Sequence, residues 1–268
     1  MTALGYFGMG IVAGVLGSML GLGGGIMIVP GLTLLFGLPV KTAIAASVVA
    51  VVANSLAGSA VYVRKGMPHI KLAMILEVTT TIGAVVGSLV AVWVSARWLY
   101  GIFALVALYI VYAMRRPPAS EADCEPRGAL PAAYEDPATG QTVRYGVNHI
   151  STGLGISTLA GILSSLIGVG GGVIKVPIMT QVMGVPFKAA TSTSTFMIGI
   201  TTATAAIVYY GHGYIVPAIA IPVALGAVVG AQFGSRLGSK AKSSVLRILF
   251  QVLLAFIALQ MGWRAFGG

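Results

Sequence analysis

The chain has 268 residues, of which 57% are hydrophobic and only 8% are charged, and its formal net charge is +10. Because a soluble domain has about one quarter charged residues, this composition excludes an ordinary water-soluble globular protein. The positive charge alone would fit a nucleic-acid binder, but its distribution does not. Five of the six acids lie in the stretch 117–148, where two arginines leave a net charge of −3, so the rest of the chain carries +13. Cations placed between long apolar runs are typical of a polytopic membrane protein.

Ten apolar runs follow one another along the chain. They are 4–20, 26–36, 42–63, 72–94 and 99–114 in the first half, and 150–167, 173–183, 189–210, 217–237 and 245–263 in the second. A helix needs about 20 apolar residues to cross a membrane, so the last three runs of each half predict long transmembrane helices. The first two runs of each half are shorter and joined by glycines, which predicts a hairpin whose second arm is about half a membrane long. The predicted fold is therefore an all-α polytopic membrane protein of eight to ten hydrophobic segments.

The stretch 117–148 has a different composition from the rest of the chain. It contains five prolines, five acids and the single cysteine, Cys124. Such a segment buries too little apolar surface to fold alone, so it predicts a flexible linker between membrane repeat 1 (1–116) and membrane repeat 2 (149–268). One cysteine allows no intramolecular disulfide and no thiolate metal site.

The two halves match without a gap at an offset of 147 residues. The matched positions include Gly24 with Gly171, Pro30 with Pro177, Lys41 with Lys188, Tyr62 with Tyr209, and Gly87 with Gly234. Shared apolar composition does not align glycine, proline and lysine in register. The sequence therefore predicts an internal duplication.

Equivalent loops of the two halves carry opposite charge bias. Loop 64–71 has three cations and its counterpart 211–218 has none, whereas 95–98 has one and its counterpart 236–247 has four. By the positive-inside rule this pattern predicts inverted repeats. It places 64–71, the linker and 236–247 in the cytoplasm and both chain termini outside.

Each predicted hairpin turns at a triple glycine, which lets another backbone or a ligand come close. A short helix that starts after such a turn presents free N–H groups and the positive end of its dipole. Two such helix starts near the membrane midplane predict an anion site. The alternative is tight helix packing, which is the better interpretation for glycines spaced by four residues elsewhere in the chain. The candidate site residues are Gly23, Gly24, Gly25, Gly170, Gly171 and Gly172.

The doubled motif resembles a known family. Gly-x-Gly-Gly-Gly…Val-Pro is followed in each half by Gly-x-Pro-x-Lys-x-Ala, at 37–43 and 184–190. This pattern resembles the TauE/SafE family of sulfite exporters and sulfonate permeases, over about 4–114 and 150–263. The resemblance implies transport of a small sulfur oxyanion, a sulfonate or a related organic anion across the bacterial inner membrane.

Two charged residues lie inside apolar runs. Lys175 follows the second triple glycine, where the first repeat has Ile28, and predicts an anion contact or counter-charge; the alternative is a lysine that reaches the interface. Glu77, whose counterpart is Ala224, is the one carboxylate in any apolar run. It predicts a proton carrier, with an ion pair to the cytoplasmic loop at Lys71 as the alternative.

The helices after the hairpins are rich in neutral polar side chains. Ser47 and Ser194 are equivalent, as are Asn54 and Thr201, and these four are the candidate neutral donors to an oxyanion. Hydrogen bonds to their own or neighbouring helices are the alternative. Lys41 and Lys188 lie at loop-to-helix junctions, where anchoring is the expected role. The dispersed histidines predict no metal site, and nothing in the sequence calls for a cofactor.

Together these features predict a secondary transporter that moves a small anion across the lipid bilayer by alternating access, with protons as the candidate coupling ion. An anion channel with the same dipole-lined site is the alternative. An enzyme is disfavoured because no cluster of His, Asp, Glu or Cys lies within the spans. An ATP-driven pump is disfavoured because neither triple glycine continues into a phosphate-binding Gly-Lys-Ser/Thr.

Overall fold

The computed structural model describes residues 2–113 and 128–266, and within these ranges the body is helical. The helices of the first repeat are α1 (Thr2–Leu20), α2 (Gly25–Leu35), α3 (Val40–Arg64), α4 (Ile70–Trp93) and α5 (Ala96–Ala113). Those of the second are α6 (Ile150–Ile167), α7 (Gly172–Gln181), α8 (Phe187–Gly211), α9 (Pro217–Lys240) and α10 (Ser243–Phe266). Strands β1 (Ala129–Glu135) and β2 (Thr142–Val147) lie between the repeats.

Six helices of the described ranges are long and apolar enough to cross a membrane: α1, α3, α4, α6, α8 and α9. The second hairpin arms are much shorter, with 11 residues in α2 and 10 in α7. At 1.5 Å per residue they extend about 15 Å, which is half of a hydrocarbon core. The prediction of a polytopic membrane protein is confirmed, although the six helices include the first hairpin arms α1 and α6 and do not include α5 and α10, which correspond to the predicted long runs 99–114 and 245–263.

The duplication in the sequence is also a duplication of structure. Helices α8 and α9 begin and end 147 residues after α3 and α4. Helix α1 packs on α9 as α6 packs on α4. Even single hydrogen bonds recur, because the Tyr62 hydroxyl donates to the carbonyl of Ser18 at 2.9 Å and the Tyr209 hydroxyl to that of Ser165 at 3.0 Å.

Glycines spaced by four residues bring these helix pairs into backbone contact. A Cβ atom at Gly226 of α9 would lie 2.1 Å from the carbonyl oxygen of Phe7, and one at Gly87 of α4 would lie 2.2 Å from that of Ile162. Any larger side chain would separate the helices and lose the contact. The packing interpretation of these glycines is confirmed.

The structure corrects the prediction of an unfolded linker for its second part. Residues 129–147 form an antiparallel β-hairpin, which is also the exception to the all-α fold. Alternating side chains place Tyr134, Tyr145 and Val147 on a buried face. The first part of the predicted linker, 117–127, lies outside the described residues.

The hairpin folds because its turn is well specified and its buried face has a partner. The Asp136 carboxylate accepts a hydrogen bond from the N–H of Ala138 at 2.9 Å, and its carbonyl accepts one from Gly140 at 2.7 Å. Gly140 supplies the positive φ of 69° that the turn needs. The hairpin then packs on the start of α4, where the rings of His69 and Tyr145 meet edge-on at 5.9 Å.

A buried polar cluster as the candidate functional site

The two glycine turns have the same left-handed backbone. φ is +75° at Gly23 and +83° at Gly24, and +83° at Gly170 and +79° at Gly171. Side chains rarely tolerate this conformation, so glycine is required at each position. Helices α2 and α7 begin directly after these turns, so each glycine turn reverses the chain between the two arms of a hairpin.

The turns of the two repeats touch each other. A Cβ atom at Gly25 would lie 2.3 Å from the carbonyl oxygen of Gly168, and one at Gly172 would lie 2.0 Å from that of Gly21. Close approach of protein to protein therefore accounts for Gly25 and Gly172. The space that a side chain would need at Gly23 and at Gly170 is also taken, in both cases by side chains of α3 and α8.

Ser47 and Ser194 lock this contact. The Ser47 hydroxyl donates to the carbonyl of Gly168 at 2.8 Å, and the Ser194 hydroxyl donates to that of Gly21 at 2.9 Å. Each serine thus holds the turn of the opposite repeat. Since their protons are used in these bonds, we assign both a structural role in this conformation.

Beside the second turn, three predicted site residues meet in one buried cluster. The Lys175 ammonium lies 3.2 Å from the Glu77 carboxylate and donates to the Thr201 hydroxyl at 2.8 Å. The Thr201 hydroxyl in turn donates to the other Glu77 oxygen at 2.5 Å. The side chains of Lys175 and Glu77 are only 1% and 6% exposed. The cluster joins α4 of repeat 1 to α7 and α8 of repeat 2.

This geometry argues against the structural alternatives named for the two charged residues, whose roles as anion contact and proton carrier stay predictions. Glu77 pairs with Lys175 and not with the loop at Lys71, which is exposed. Lys175 is fully enclosed and does not reach an interface. Breaking a buried pair of this kind by removing one partner costs about 3–5 kcal/mol. Ionisable residues inside membrane helices mark functional sites by default.

Three buried polar side chains of the described residues lack hydrogen-bond partners. They are Asn54, through both of its amide atoms, and the neighbouring hydroxyls of Ser164 and Ser165 in α6. Ser164 borders the cluster, because a Cβ at Gly171 would meet Ser164 Oγ at 3.2 Å and Lys175 Cε at 3.4 Å. A buried unpaired polar group is costly unless a ligand or water satisfies it.

Sequence reasoning missed Ser164, although the repeat contained a signal for it. At the offset of 147 residues its counterpart is Gly17. Lys175 replaces Ile28 and Glu77 replaces Ala224 in the same way. These three residues, each of which breaks the repeat symmetry in favour of polarity, gather at one place in space.

At the first turns of α3 and α8, Lys41 and Lys188 make the contacts of anchors. Lys41 Nζ donates to the carbonyl of Val92 at 2.5 Å, and Lys188 Nζ lies 2.6 Å from Asp136 of the hairpin. Lys65 donates to Ser239 at 2.6 Å. Partial burial, and then the nearby charges of Lys240 and Arg236, lower the pKa of Lys65. Burial raises the pKa of Tyr145 in the hairpin.

Comparison with known proteins identifies the family of this chain. The family model described as "Sulfite exporter TauE/SafE" matches residues 6–261. The chain belongs to the TauE/SafE family. It is also similar to the "Probable membrane transporter protein YunE" of Bacillus subtilis (strain 168), with 27% identity over 265 residues that cover 94% of each chain. No solved structure matches it.

The resemblance inferred from the glycine motifs is therefore confirmed. TauE/SafE membership, the similarity to a transporter and six apolar helices support a multi-pass membrane transporter. The described residues contain no group of three or more His, Cys, Asp or Glu side chains able to hold a metal ion. The cluster itself offers an ammonium group, a carboxylate and neutral hydroxyls.

Proposed function

We propose that this TauE/SafE member is a secondary transporter of a small anion, either sulfite, a sulfonate or a related organosulfur anion, in the bacterial inner membrane. The observation that carries the proposal is the ion pair of Lys175 and Glu77, enclosed with Thr201 between helices of both repeats. A charged pair at this depth brings no large gain in stability over apolar packing. Its proposed role is in binding, because the Lys175 ammonium can bind an anion once the Glu77 carboxylate moves away from it.

The surroundings of Lys175 fit an oxyanion. Its ammonium supplies a charge-assisted hydrogen bond, and Thr201 and Ser164 supply neutral hydroxyls. The start of α7 at Gly172 directs the positive end of the helix dipole toward the same region. The unpaired Ser164 hydroxyl supports the proposal independently, since it is buried and borders Lys175.

Asn54 remains a further candidate donor. It is fully buried on α3, at the position equivalent to Thr201, and its amide has no partner. By the symmetry of the repeats it lies in a half-site without charges, where Ile28 and Ala224 replace Lys175 and Glu77. We propose that Asn54 contacts the anion during its passage.

Several contacts support the inverted topology on which alternating access would rest. Gly58 of α3 faces Thr195 of α8, whereas Ser55 faces Gly199, so these equivalent helices run in opposite directions. Lys65 meets Ser239, which joins two segments assigned to the cytoplasm.

The opposite face is consistent with this assignment. Lys41 lies 5.7 Å from the ring centre of Tyr214 and bonds to the carbonyl of Val92, which joins segments assigned to the outside. The hairpin would then cover the cytoplasmic face, where it contacts His69 and Lys188.

Reconstitution into liposomes tests the proposal. Purified protein should take up labelled sulfite or methanesulfonate with saturation, and preloaded unlabelled anion should accelerate labelled uptake by counterflow. Lys175→Met should abolish uptake, whereas the matched control Lys71→Met, at an exposed lysine of α4, should retain it.

The outcomes separate the proposal from its rivals. Uptake without saturation or counterflow would indicate the alternative, an anion channel. If only cations move, or if no anion moves in any gradient, anion transport is refuted. Full activity of Lys175→Met would remove the cluster from the site.

A further inference from the structure

We propose that the cargo is a monovalent anion that moves together with one proton, which Glu77 carries, so that transport is electroneutral. This inference rests on the proposed function and specifies the charge and coupling of the same site. It follows from one juxtaposition: the Glu77 carboxylate lies 3.2 Å from the Lys175 ammonium, and Thr201 contacts both side chains.

Among the described residues, the cluster contains one positive charge, one negative charge and no third titratable group. Helix α6, which packs on α4, has no titratable residue along 150–167. Helix α8, which also packs on α4, has three. Lys188 pairs with Asp136, Tyr209 donates to the carbonyl of Ser165, and Tyr210 is exposed. In α7 the one charged residue is Lys175 itself. The pair of Lys175 and Glu77 is therefore neutral overall.

An incoming anion must take the place of the Glu77 carboxylate at Lys175. If Glu77 stayed ionised, the enclosed site would hold two negative charges against one positive charge. An uncompensated buried charge is strongly unfavourable, and a carboxylate avoids this by taking up a proton. One monovalent anion and one proton restore neutrality.

Thr201 is suited to both states. While Glu77 pairs with Lys175, the Thr201 hydroxyl donates to Glu77. Its oxygen also lies 3.3 Å from the carbonyl of Met197, one turn back in α8. When Glu77 is protonated, the Thr201 hydroxyl can turn to Met197 and accept the new O–H from Glu77. The proton then resides on a carboxyl group that keeps a hydrogen-bond partner.

Two consequences concern selectivity and direction. A divalent anion would need a second proton, for which the described neighbours offer no acceptor, so sulfonates and hydrogensulfite should be accepted and sulfate rejected. Because anion and proton move together, a gradient that is acid outside drives uptake. At equilibrium, electroneutral coupling of one proton to one anion concentrates the anion about tenfold per pH unit.

The test uses methanesulfonate, which keeps a single charge at every working pH and carries no proton itself. Liposomes with the full-length protein contain a pH indicator, and potassium with valinomycin fixes the membrane potential. We expect one proton to enter with each methanesulfonate, accumulation that follows the pH gradient, no response to the potential, and no uptake of sulfate. Methanesulfonate uptake that follows the potential without protons, or sulfate uptake at a similar rate, would overturn the inference while leaving anion transport intact. If neither anion moves in any gradient or in counterflow, the proposed function itself fails.

A pair of variants tests the role of Glu77. Glu77→Gln should still exchange methanesulfonate across the membrane but lose accumulation driven by the pH gradient at least about tenfold. The matched control Glu135→Gln, at an exposed acid of β1, should keep both. If Glu77→Gln still accumulates methanesulfonate in an acid-outside gradient, the inference is wrong. If that variant does not insert into the membrane, the proton-to-anion ratio of the wild-type protein decides.

Discussion

Replacing Lys175 with Met removes the positive partner of Glu77 and keeps an unbranched side chain in its place. The partner left behind is a carboxylate whose side chain is only 6% exposed. Loss of one member of a buried ion pair costs about 3–5 kcal/mol. At about 2–4 °C per kcal/mol for a chain of this size, the Tm should fall by about 6–20 °C.

The double variant Lys175→Met/Glu77→Leu separates stability from transport. Apolar residues of similar volume in place of a buried pair are neutral or stabilising, by up to about 4 kcal/mol. The Tm should therefore return to the wild-type value or exceed it. Transport should remain abolished, because no charge is left to bind the anion.

Both quantities can be measured on the same preparations, with thermal unfolding followed by intrinsic fluorescence and uptake followed in liposomes. Lys71→Met serves as the control, because this exposed lysine should affect neither. A double variant that transports at the wild-type rate would show that the pair is only structural. An unchanged Tm in the single variant would contradict the burial of Glu77.

Three further substitutions test other parts of the structure. Gly172→Ala places a Cβ 2.0 Å from a carbonyl oxygen of the opposite turn and should lower the free energy of unfolding by at least about 1–3 kcal/mol. The control Gly155→Ala, whose Cβ would have nothing within 4 Å, should leave it unchanged. Equal melting curves for the two variants would contradict the contact between the turns. Asp136→Asn weakens the ion pair that holds the hairpin, so trypsin should cleave the hairpin faster than in Glu135→Gln, and equal rates would argue against the anchor. Ser164→Ala removes a hydroxyl without a partner, so the Tm should hold while methanesulfonate affinity falls about two- to tenfold; unchanged affinity would remove Ser164 from the site.

Much of the fold follows from local patterns. The length of an apolar run determines whether a helix can cross the membrane, and this depends only on neighbouring residues. The triple glycines predicted both turns and the short arms after them, which the structure has as α2 and α7. The linker prediction failed for 129–147 because prolines and acids dominated its composition. The Asp136-to-Gly140 turn between two alternating segments was the signal for a hairpin.

The candidate site was only partly accessible from the sequence. Lys175, Glu77 and Thr201 were each named as candidates, but on separate helices and for separate reasons. Ser47 and Ser194 were expected to contact substrate, yet they bond to the opposite glycine turn. A hydroxyl inside a helix has the same local pattern whether it binds a ligand or a backbone carbonyl, so only its neighbours in space distinguish these roles.

By itself, the sequence determined the membrane location, the duplication and the family, because hydrophobicity, register and motif spacing are properties of the chain read in order. Only the tertiary structure decided that Glu77 pairs with Lys175, 98 positions further along the chain, and that Ser164 borders them. The physical reason is that a buried charge must find its partner across helices from different repeats. Where those helices meet is determined by their packing, and no local periodicity encodes it.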